Sequence, residues 1–216
     1  MKSKNIIVVS GPSGSGKTTL IQRLMKKHPE IVFSVSHTTR PKRDNETDGV
    51  DYHFVTADQF KQMIECDAFV EWAEVYGFYY GTSCQEIETR LTDGSDRVLV
   101  LDVDVQGAIN IRNKYPGALF ILITPPSLDA LRERLLLRER KIDRNVEKRL
   151  ETSRHELNQY HMYEYIVVND NVEQAFIVLD AIYIASRNTL ARLAALMKER
   201  FVDIKDYHGK KNGDKQ

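Results

Sequence analysis

Cysteine is scarce in this sequence, which has only Cys66 and Cys84 among 216 residues. Two isolated thiols cannot build a disulfide framework, and they lack the C-x-x-C spacing of a metal site. Long apolar runs are also missing, since stretches such as residues 118–123 are far too short to cross a bilayer. Residues 1–5 lead directly into a short apolar run and do not resemble a signal peptide. We therefore expect a cytoplasmic protein.

An excess of one charge sign is absent as well, because 31 Lys and Arg residues face 31 Asp and Glu residues. A neutral chain does not favour a nucleic-acid or membrane partner, and neither is expected. Any site that binds an anion must therefore be formed by a local cluster of basic residues. Residues 132–149 provide such a cluster, with eight Lys or Arg side chains against four Asp or Glu.

Short apolar segments alternate with helical patterns along most of the chain. A length of 216 residues with 42% apolar content suits one compact domain that carries insertions. Five segments read as buried strands: residues 6–9, 31–35, 98–103, 119–123 and 165–168. The alternation predicts an α/β fold, with a parallel sheet covered by helices on both faces.

Two segments interrupt this alternation. Residues 37–87 are rich in turn residues and aromatics, which predicts a small β-rich insertion. Residues 127–160 contain no Gly or Pro and many charges, which predicts a helical hairpin. The remainder forms the predicted core, with one or two helices over residues 172–201 and a disordered polar tail. The predicted units are a core of residues 1–36, 88–126 and 161–207, the insertion 37–87, the hairpin 127–160 and the tail 208–216.

A glycine-rich loop follows the first predicted strand and matches the pattern G-x-x-x-x-G-K-[ST]. Its residues are Gly11, Pro12, Ser13, Gly14, Ser15, Gly16, Lys17 and Thr18. Glycines let consecutive backbone N–H groups turn toward an anion, and the helix that begins here adds its positive dipole end. Lys17 can then reach the β and γ phosphates, and Thr18 can offer its hydroxyl to Mg²⁺. The loop predicts binding of a nucleoside triphosphate with magnesium; the alternative is a glycine-rich turn with a solvent-exposed lysine.

The loop alone does not separate a GTPase switch, an ATPase motor and a small-molecule kinase. A GTPase should also carry an Asn-Lys-x-Asp guanine-reading element, which this sequence lacks. A motor normally needs a longer chain. These two absences favour a small-molecule kinase.

A further set of motifs resembles the guanylate kinase family. Its first run covers residues 36–43, SHTTRPKR, and is followed by Glu46 and by residues 48–52, DGVDY. The similarity continues at residues 69–73, FVEWA, at 79–82, YYGT, at 101–108, LDVDVQGA, and at 168–170, VND. It spans roughly residues 5 to 180 and implies a P-loop fold with a GMP-binding insertion and a helical lid.

The resemblance assigns a set of residues to GMP. It implies that Arg40 and Arg43 bind the GMP phosphate together with Tyr52 and Tyr80, within the segment that also contains Glu46. Two arginines three positions apart can fork onto one phosphate. The resemblance places Ser36, Glu71, Thr82 and Asp104 around guanine. A carboxylate suits the adjacent N1–H and 2-amino donors that guanine presents and adenine does not. Taken singly, these residues could also be solvated charges and core aromatics.

Asp102 ends a hydrophobic strand at the carboxyl edge, where open α/β sheets place their ligands. It could hold a magnesium-bound water. Asp104 would point to the same side if the strand continued. The division of roles between the two aspartates stays open.

The predicted hairpin, residues 127–160, corresponds by resemblance to the family's lid. Arg134 and Arg138 lie one helical turn apart, and Arg149 lies on the following helix. The resemblance assigns all three to the γ-phosphate of ATP and the accepting phosphate; a merely solvated basic helix is the alternative. The family's G-R-G run is replaced by LRER over residues 137–140, which favours helix and moves the hinge elsewhere.

The resemblance also implies the remaining site residues and the reaction. The ATP-binding set is Gly11, Ser13, Gly14, Ser15, Gly16, Lys17, Thr18, Thr19 and, as an adenine contact, Asn169. A second departure from the family is Asn171, where an Asp often stands. The implied reaction is ATP plus GMP giving ADP plus GDP, with dGMP as a further acceptor and a monomer or homo-oligomer as the working form. The alternatives are a related interaction module without catalysis and a kinase for another phosphorylated acceptor.

Overall fold

The computed structural model describes residues 5–75, 77–91, 97–139 and 144–200. It contains a five-stranded parallel sheet in the order β2-β7-β1-β8-β9. Its strands are β1 Ile6–Ser10, β2 Ile31–Phe33, β7 Val98–Asp102, β8 Leu119–Thr124 and β9 Tyr165–Val168. The predicted parallel sheet is confirmed, although the second strand ends at Phe33 and the third at Asp102.

Helices cover both faces of this sheet. They are α1 Lys17–Lys27, α4 Val105–Lys114 and α7 Val172–Arg187. Alternate residues of a strand point to opposite faces, so Ile7 and Val9 pack with residues of α1 and α7, whereas Ile6 and Val8 pack with residues of α4. Because the sheet is buried on both faces, its strands are continuous apolar runs.

Residues 37–87 form a second, smaller sheet with the strand order β4-β3-β6-β5. Its strands are β3 His37–Thr38, β4 His53–Phe54, β5 Phe69–Val75 and β6 Phe78–Ser83. The expected β-rich segment also contains helices that were not predicted, because α2 Ala57–Glu65 lies within it and α3 Cys84–Leu91 begins in it. Thr56 and Gln59 form a capping box at the start of α2, and Phe60 stacks on Phe69 and Tyr79.

The predicted helical hairpin is confirmed by α5 Leu128–Glu139 and α6 Arg144–Leu157. Its helices pack through Leu131, Leu135, Val146 and Leu150. The connection between them lies outside the described residues. Helix α5 includes residues 137–139, where the replacement of the family's G-R-G run was expected to favour helix. A 3₁₀ turn, Tyr160–Met162, leads from α6 to β9.

The C-terminal region contains two helices, which resolves the alternative that the sequence left open. Helix α7 ends at Arg187, and α8 spans Leu190–Arg200. The tail, expected to be disordered over residues 208–216, lies outside the described residues. None of the described helices has the length and apolar character needed to span a membrane.

Candidate active site

The glycine-rich loop connects β1 to α1 at the carboxyl edge of the parallel sheet. Gly11, Gly14 and Gly16 have φ angles of 144°, 89° and 91°, a region that side-chain-bearing residues rarely adopt. There is also no room for a side chain at Gly11, because a Cβ on this residue would lie 2.1 Å from the carbonyl oxygen of Ile123. The loop therefore needs glycine both for its backbone conformation and for its approach to β8.

Lys17 begins α1 and folds back over the loop. Its Nζ donates to the carbonyl oxygen of Gly11 at 2.6 Å and to that of Pro12 at 3.4 Å. The next residue, Thr18, places its hydroxyl oxygen 3.5 Å from Oδ2 of Asp102. Lysine, hydroxyl and carboxylate thus converge at the edge of the sheet. The other loop residues expected at the site are the half-buried Ser13, the buried Ser15 and the exposed Thr19.

Asp102 is the last residue of β7. Burial raises the pKa of its carboxyl group, while the nearby Lys17 ammonium and the Thr18 hydroxyl oppose that shift. An additional cation beside Asp102 would therefore favour its ionised form. No cluster of three or more His, Cys, Asp or Glu side chains suited to a metal occurs in the described part of the chain. Few protein ligands are the expected pattern for Mg²⁺ in kinases, since phosphate oxygens and water complete its shell.

Asn169 joins the loop to the end of β9. Its side-chain amide donates to the carbonyl oxygen of Ser15 at 2.7 Å, and its backbone N–H donates to Thr124 at 2.7 Å. A Cβ on Gly16 would lie 2.2 Å from the Asn169 amide nitrogen. Asn169 is 6% exposed. Its amide therefore holds the shape of the loop, and contact with adenine stays a prediction.

Among the expected lid arginines, Arg134 reaches this part of the site. The Arg134 guanidinium donates to the carbonyl oxygen of Asn169 at 2.8 Å. This bond connects α5 to the residue that holds the shape of the glycine-rich loop. Arg149 is half-buried on α6. The backbone of Arg138 belongs to α5, but its side chain lies outside the described residues.

A second cluster gathers around Arg40 in the smaller sheet. Its guanidinium donates to Oε1 of Glu46 at 2.7 Å, and Oε2 of Glu46 accepts from the backbone N–H of Arg43 at 2.9 Å. These contacts with Glu46, and a hydrogen bond with Tyr80, hold the pKa of Arg40 above its ordinary value. The guanidinium also lies over the Tyr52 ring, 5.5 Å from its centroid. Glu46 therefore orients both arginine positions.

Tyr52 connects this cluster to the edge of the parallel sheet. Burial raises the pKa of its hydroxyl, and the Asp102 carboxylate adds to that shift. Tyr80 lies against it, with ring centroids 6.0 Å apart. The charge of Asp102 thus links the Arg40 cluster to the carboxyl edge of the parallel sheet.

Glu71 is a buried carboxyl group at the junction between the two sheets. It is 7% exposed, and its Oε1 accepts from the backbone N–H of Thr82 at 2.9 Å. The hydroxyl oxygens of Thr82 and Ser36 are 3.4 Å apart. Burial, and to a smaller extent the charge of Asp104, raises the pKa of Glu71 to about 7, although the Thr82 contact opposes the shift. Ser36, Glu71, Thr82 and Asp104 are thus brought together.

Asp104 differs from the sequence expectation. It lies beyond the end of β7 and caps α4, because its Oδ1 accepts from the backbone N–H of Gly107 at 2.7 Å. The condition under which Asp102 and Asp104 would point to the same side, a strand that continues past Asp102, is therefore not met. The cap turns Asp104 toward Glu71, whereas Asp102 lies near Lys17 and Thr18.

Two residues near this site were missed by the sequence analysis. Glu156, on α6, has its pKa raised to about 7 by burial; Lys17 lowers that pKa and Asp104 raises it. Tyr163 follows the 3₁₀ turn, and burial raises its pKa to about 12. The spacing of seven residues between Arg149 and Glu156, two helical turns, was the only signal that could have pointed to Glu156.

Comparisons with known proteins agree with this geometry. The family model described as guanylate kinase matches residues 3–186. A guanylate kinase of Legionella pneumophila (strain Lens) is 45% identical over 192 residues, which cover 89% of this chain and 91% of that protein. A guanylate kinase of Thermotoga maritima is 43% identical over 187 residues, covering 87% and 89%. The crystal structure of guanylate kinase from Anaplasma phagocytophilum superposes with a TM-score of 0.72 at 29% identity, covering 91% and 94% of the two chains.

Proposed function

The chain belongs to the guanylate kinase family, and we propose that the two clusters described above perform the family's reaction, the transfer of the γ-phosphoryl group of ATP to GMP. The chain is an ATP-dependent kinase that converts GMP to GDP, and dGMP is a further proposed acceptor. The buried Glu71 carboxylate, which lies beside Thr82 and Asp104, is the observation that supports guanine as the base.

We assign the acceptor base to Ser36, Glu71, Thr82 and Asp104. An ionised carboxylate only accepts hydrogen bonds, so Glu71 suits the N1–H and 2-amino donors of guanine. Adenine would set its N1 lone pair against the same carboxylate, leaving two acceptors unpaired. The acceptor phosphate is assigned to Arg40, Arg43, Tyr52 and Tyr80, with Glu46 orienting Arg40.

We assign ATP to the loop between β1 and α1, covering Gly11, Ser13, Gly14, Ser15, Gly16, Lys17, Thr18 and Thr19. Backbone N–H groups of the loop and the start of α1 suit the phosphate oxygens. The proximity of Thr18 and Asp102 fits Mg²⁺, with Asp102 holding a metal-bound water. The bound cation would neutralise charge on the phosphates. Asn169 is assigned to the adenine edge of the site.

Catalysis then depends on alignment and charge stabilisation. A phosphate acceptor is already anionic near neutral pH, so the reaction needs no strong general base. Lys17 would stabilise charge on the transferring phosphoryl group, aided by the lid arginines Arg134, Arg138 and Arg149. Closure of the insertion and lid would exclude water, whose attack would hydrolyse ATP without product.

We propose that residues 37–87 and 127–160 are the moving units and that the remaining described residues form the core. Cys66 and Cys84 are both free thiols, which supports a reducing compartment and hence the cytoplasm. Nucleic acid and membrane are not proposed as partners. A monomer and a homo-oligomer are both compatible with this assignment.

A panel of acceptors tests the function directly. ADP release is measured with GMP, dGMP, AMP, CMP and UMP, each with ATP and Mg²⁺. We expect kcat/KM for GMP to exceed that for AMP by roughly 10⁴-fold, because several hydrogen bonds of the wrong polarity act together. Equal use of GMP and AMP would refute the assignment of Glu71 to guanine. Absence of phosphoryl transfer to any of the five would refute the proposed chemistry.

A further inference from the structure

A glycine in the first turn of α4 has no conformational reason to be there. Gly107 is the third residue of the helix, and its φ lies outside the left-handed region that favours glycine. Alanine at a helical position is more favourable than glycine. Gly107 therefore requires an explanation other than its own backbone.

The explanation is the space above its Cα atom. A Cβ built on Gly107 would lie 2.8 Å from Oε2 of Glu71 and 3.2 Å from Oδ1 of Asp104. The Gly107 N–H also donates to Asp104, so this residue lies beside both carboxyl groups assigned to guanine. The first turn of α4 thus forms one wall against the Glu71 carboxylate.

Glu71 is restrained on its other side too. Its Oε1 accepts from the Thr82 N–H at 2.9 Å, and the side chain is almost fully buried. At the far end of α4, Lys114 donates to the carbonyl oxygen of Phe69 at 3.0 Å, which ties the helix to β5. Because helix and strand are joined at this second point, a methyl group on residue 107 would displace the Glu71 side chain more readily than it would separate α4 from β5.

We propose that Gly107 is a specificity-determining positioning residue, which sets where the Glu71 carboxylate lies by leaving the first turn of α4 without a side chain. The inference rests on the proposed function, since it assumes that Glu71 reads guanine. It goes beyond that function because Gly107 belongs to the core sheet's helix, whereas Glu71 belongs to the insertion. The core helix thereby controls where a side chain of the insertion lies, through the absence of a side chain on residue 107.

The primary test is Gly107→Ala, with Asn113→Ala as its matched control. Asn113 lies on the exposed side of the same helix, so its change to alanine raises helix propensity away from Glu71. We expect Gly107→Ala to raise the KM for GMP by roughly tenfold to a hundredfold, because a displaced carboxylate loses its hydrogen bonds to the base. The KM for ATP should stay within about twofold and the Tm should not fall, since helix propensity improves. Asn113→Ala should change neither KM.

A rescue experiment separates positioning from a general packing defect. Glu71→Asp shortens the side chain and makes room for the methyl group, so the double variant Gly107→Ala with Glu71→Asp should bind GMP no more weakly than Glu71→Asp alone. If the two single substitutions each weaken GMP binding and their fold-changes multiply in the double variant, the proposal is overturned. An equal rise in the KM values for ATP and GMP would also overturn it.

The failure of this inference can be told apart from the failure of the proposed function. If Glu71→Gln reduces the preference for GMP while Gly107→Ala leaves the KM for GMP unchanged, the positioning role is wrong and guanine reading stands. If Glu71→Gln leaves the preference for GMP unchanged, the assignment of Glu71 to guanine is wrong, and the role of Gly107 is lost with it.

Discussion

The ATP end and the GMP end of the site are built in different ways. The ATP end is a continuous loop, whose shape depends on three glycines with positive φ and on hydrogen bonds to backbone carbonyl groups. The GMP end is assembled from side chains of separate elements: Ser36 before β3, Glu71 on β5, Thr82 on β6 and Asp104 before α4. At the GMP end, burial raises the pKa of the Glu71 carboxyl group to about 7.

This difference has a chemical reason. Phosphate groups are alike in all nucleotides, and a backbone cradle with one lysine suits any of them. A base is recognised by the polarity of its edge, which needs side chains of chosen donor and acceptor character. Changes at the ATP end should therefore act on turnover, whereas changes at the GMP end should act on substrate choice and on pH dependence.

The largest effect on activity is expected from Glu71→Gln, at the GMP end. The glutamine keeps the volume of the side chain but removes the charge and adds a donor. We expect kcat/KM for GMP to fall by about 10² to 10³-fold, the loss of a charge-assisted hydrogen bond of a few kcal/mol, with AMP unchanged or slightly improved. The measurement is kcat/KM for both acceptors, with circular dichroism to check folding.

Glu74→Gln is the matched control, because Glu74 lies on the same strand but is exposed. It should leave both acceptors unaffected. An unchanged preference for GMP in Glu71→Gln would assign base recognition to Ser36, Thr82 and Asp104 alone.

The corresponding change at the ATP end is Lys17→Ala. Its ammonium group is held over the loop by the Gly11 carbonyl, where it can meet the transferring phosphoryl group. We expect kcat to fall by about a hundredfold or more while the preference for GMP over AMP stays the same. Steady-state kinetics with both acceptors gives the two quantities. Lys26→Ala, an exposed lysine on the same helix, serves as the control; parent-like turnover in Lys17→Ala would contradict the role of the loop.

The KM for GMP should also depend on pH, through the carboxyl group of Glu71. The pKa of Glu71 is raised to about 7, so its carboxyl group becomes protonated as the pH falls below that value. A protonated carboxyl group accepts guanine's donors poorly, and the KM for GMP should rise by up to about tenfold for each pH unit below 7. Above pH 8 the KM for GMP should be constant.

The measurement is the KM for GMP between pH 6 and 9, compared with Glu71→Gln over the same range. Titration of the phosphate of GMP affects both proteins equally, so the difference between the two profiles reports on Glu71. Identical profiles would show that Glu71 does not titrate in this range.

The sequence predicted those features that depend on neighbouring residues. The phosphate loop is local, since its glycines, Lys17 and Thr18 follow one another between a strand and a helix. Continuous apolar runs predicted the five parallel strands for the same reason, because burial on both faces leaves a clear signal. The assignment of residues to guanine rested on resemblance to the guanylate kinase family, since nothing in the spacing of these residues predicts that Glu71 lies next to Asp104.

Features that depend on tertiary packing were not predictable in this way. Whether the strand continued to Asp104 could not be read from the sequence; it does not, and Asp104 caps a helix, because its side chain accepts from Gly107. Glu156 belongs to no motif, and only folding brings it close enough to Lys17 for that ammonium group to lower its pKa. Helices α2 and α3 were missed because turn residues and aromatics dominate their surroundings in the insertion.

The exposed edge of β9 affects how the protein behaves at high concentration. Tyr165, Ile166 and Val168 are 41%, 45% and 54% exposed on the last strand of the parallel sheet. The whole α5–α6 hairpin separates β9 from its partner β8 in the chain, and parallel pairings of distant segments form late in folding. An apolar edge strand that waits for its partner can pair with another chain instead. Refolding yield should therefore fall as the protein concentration rises.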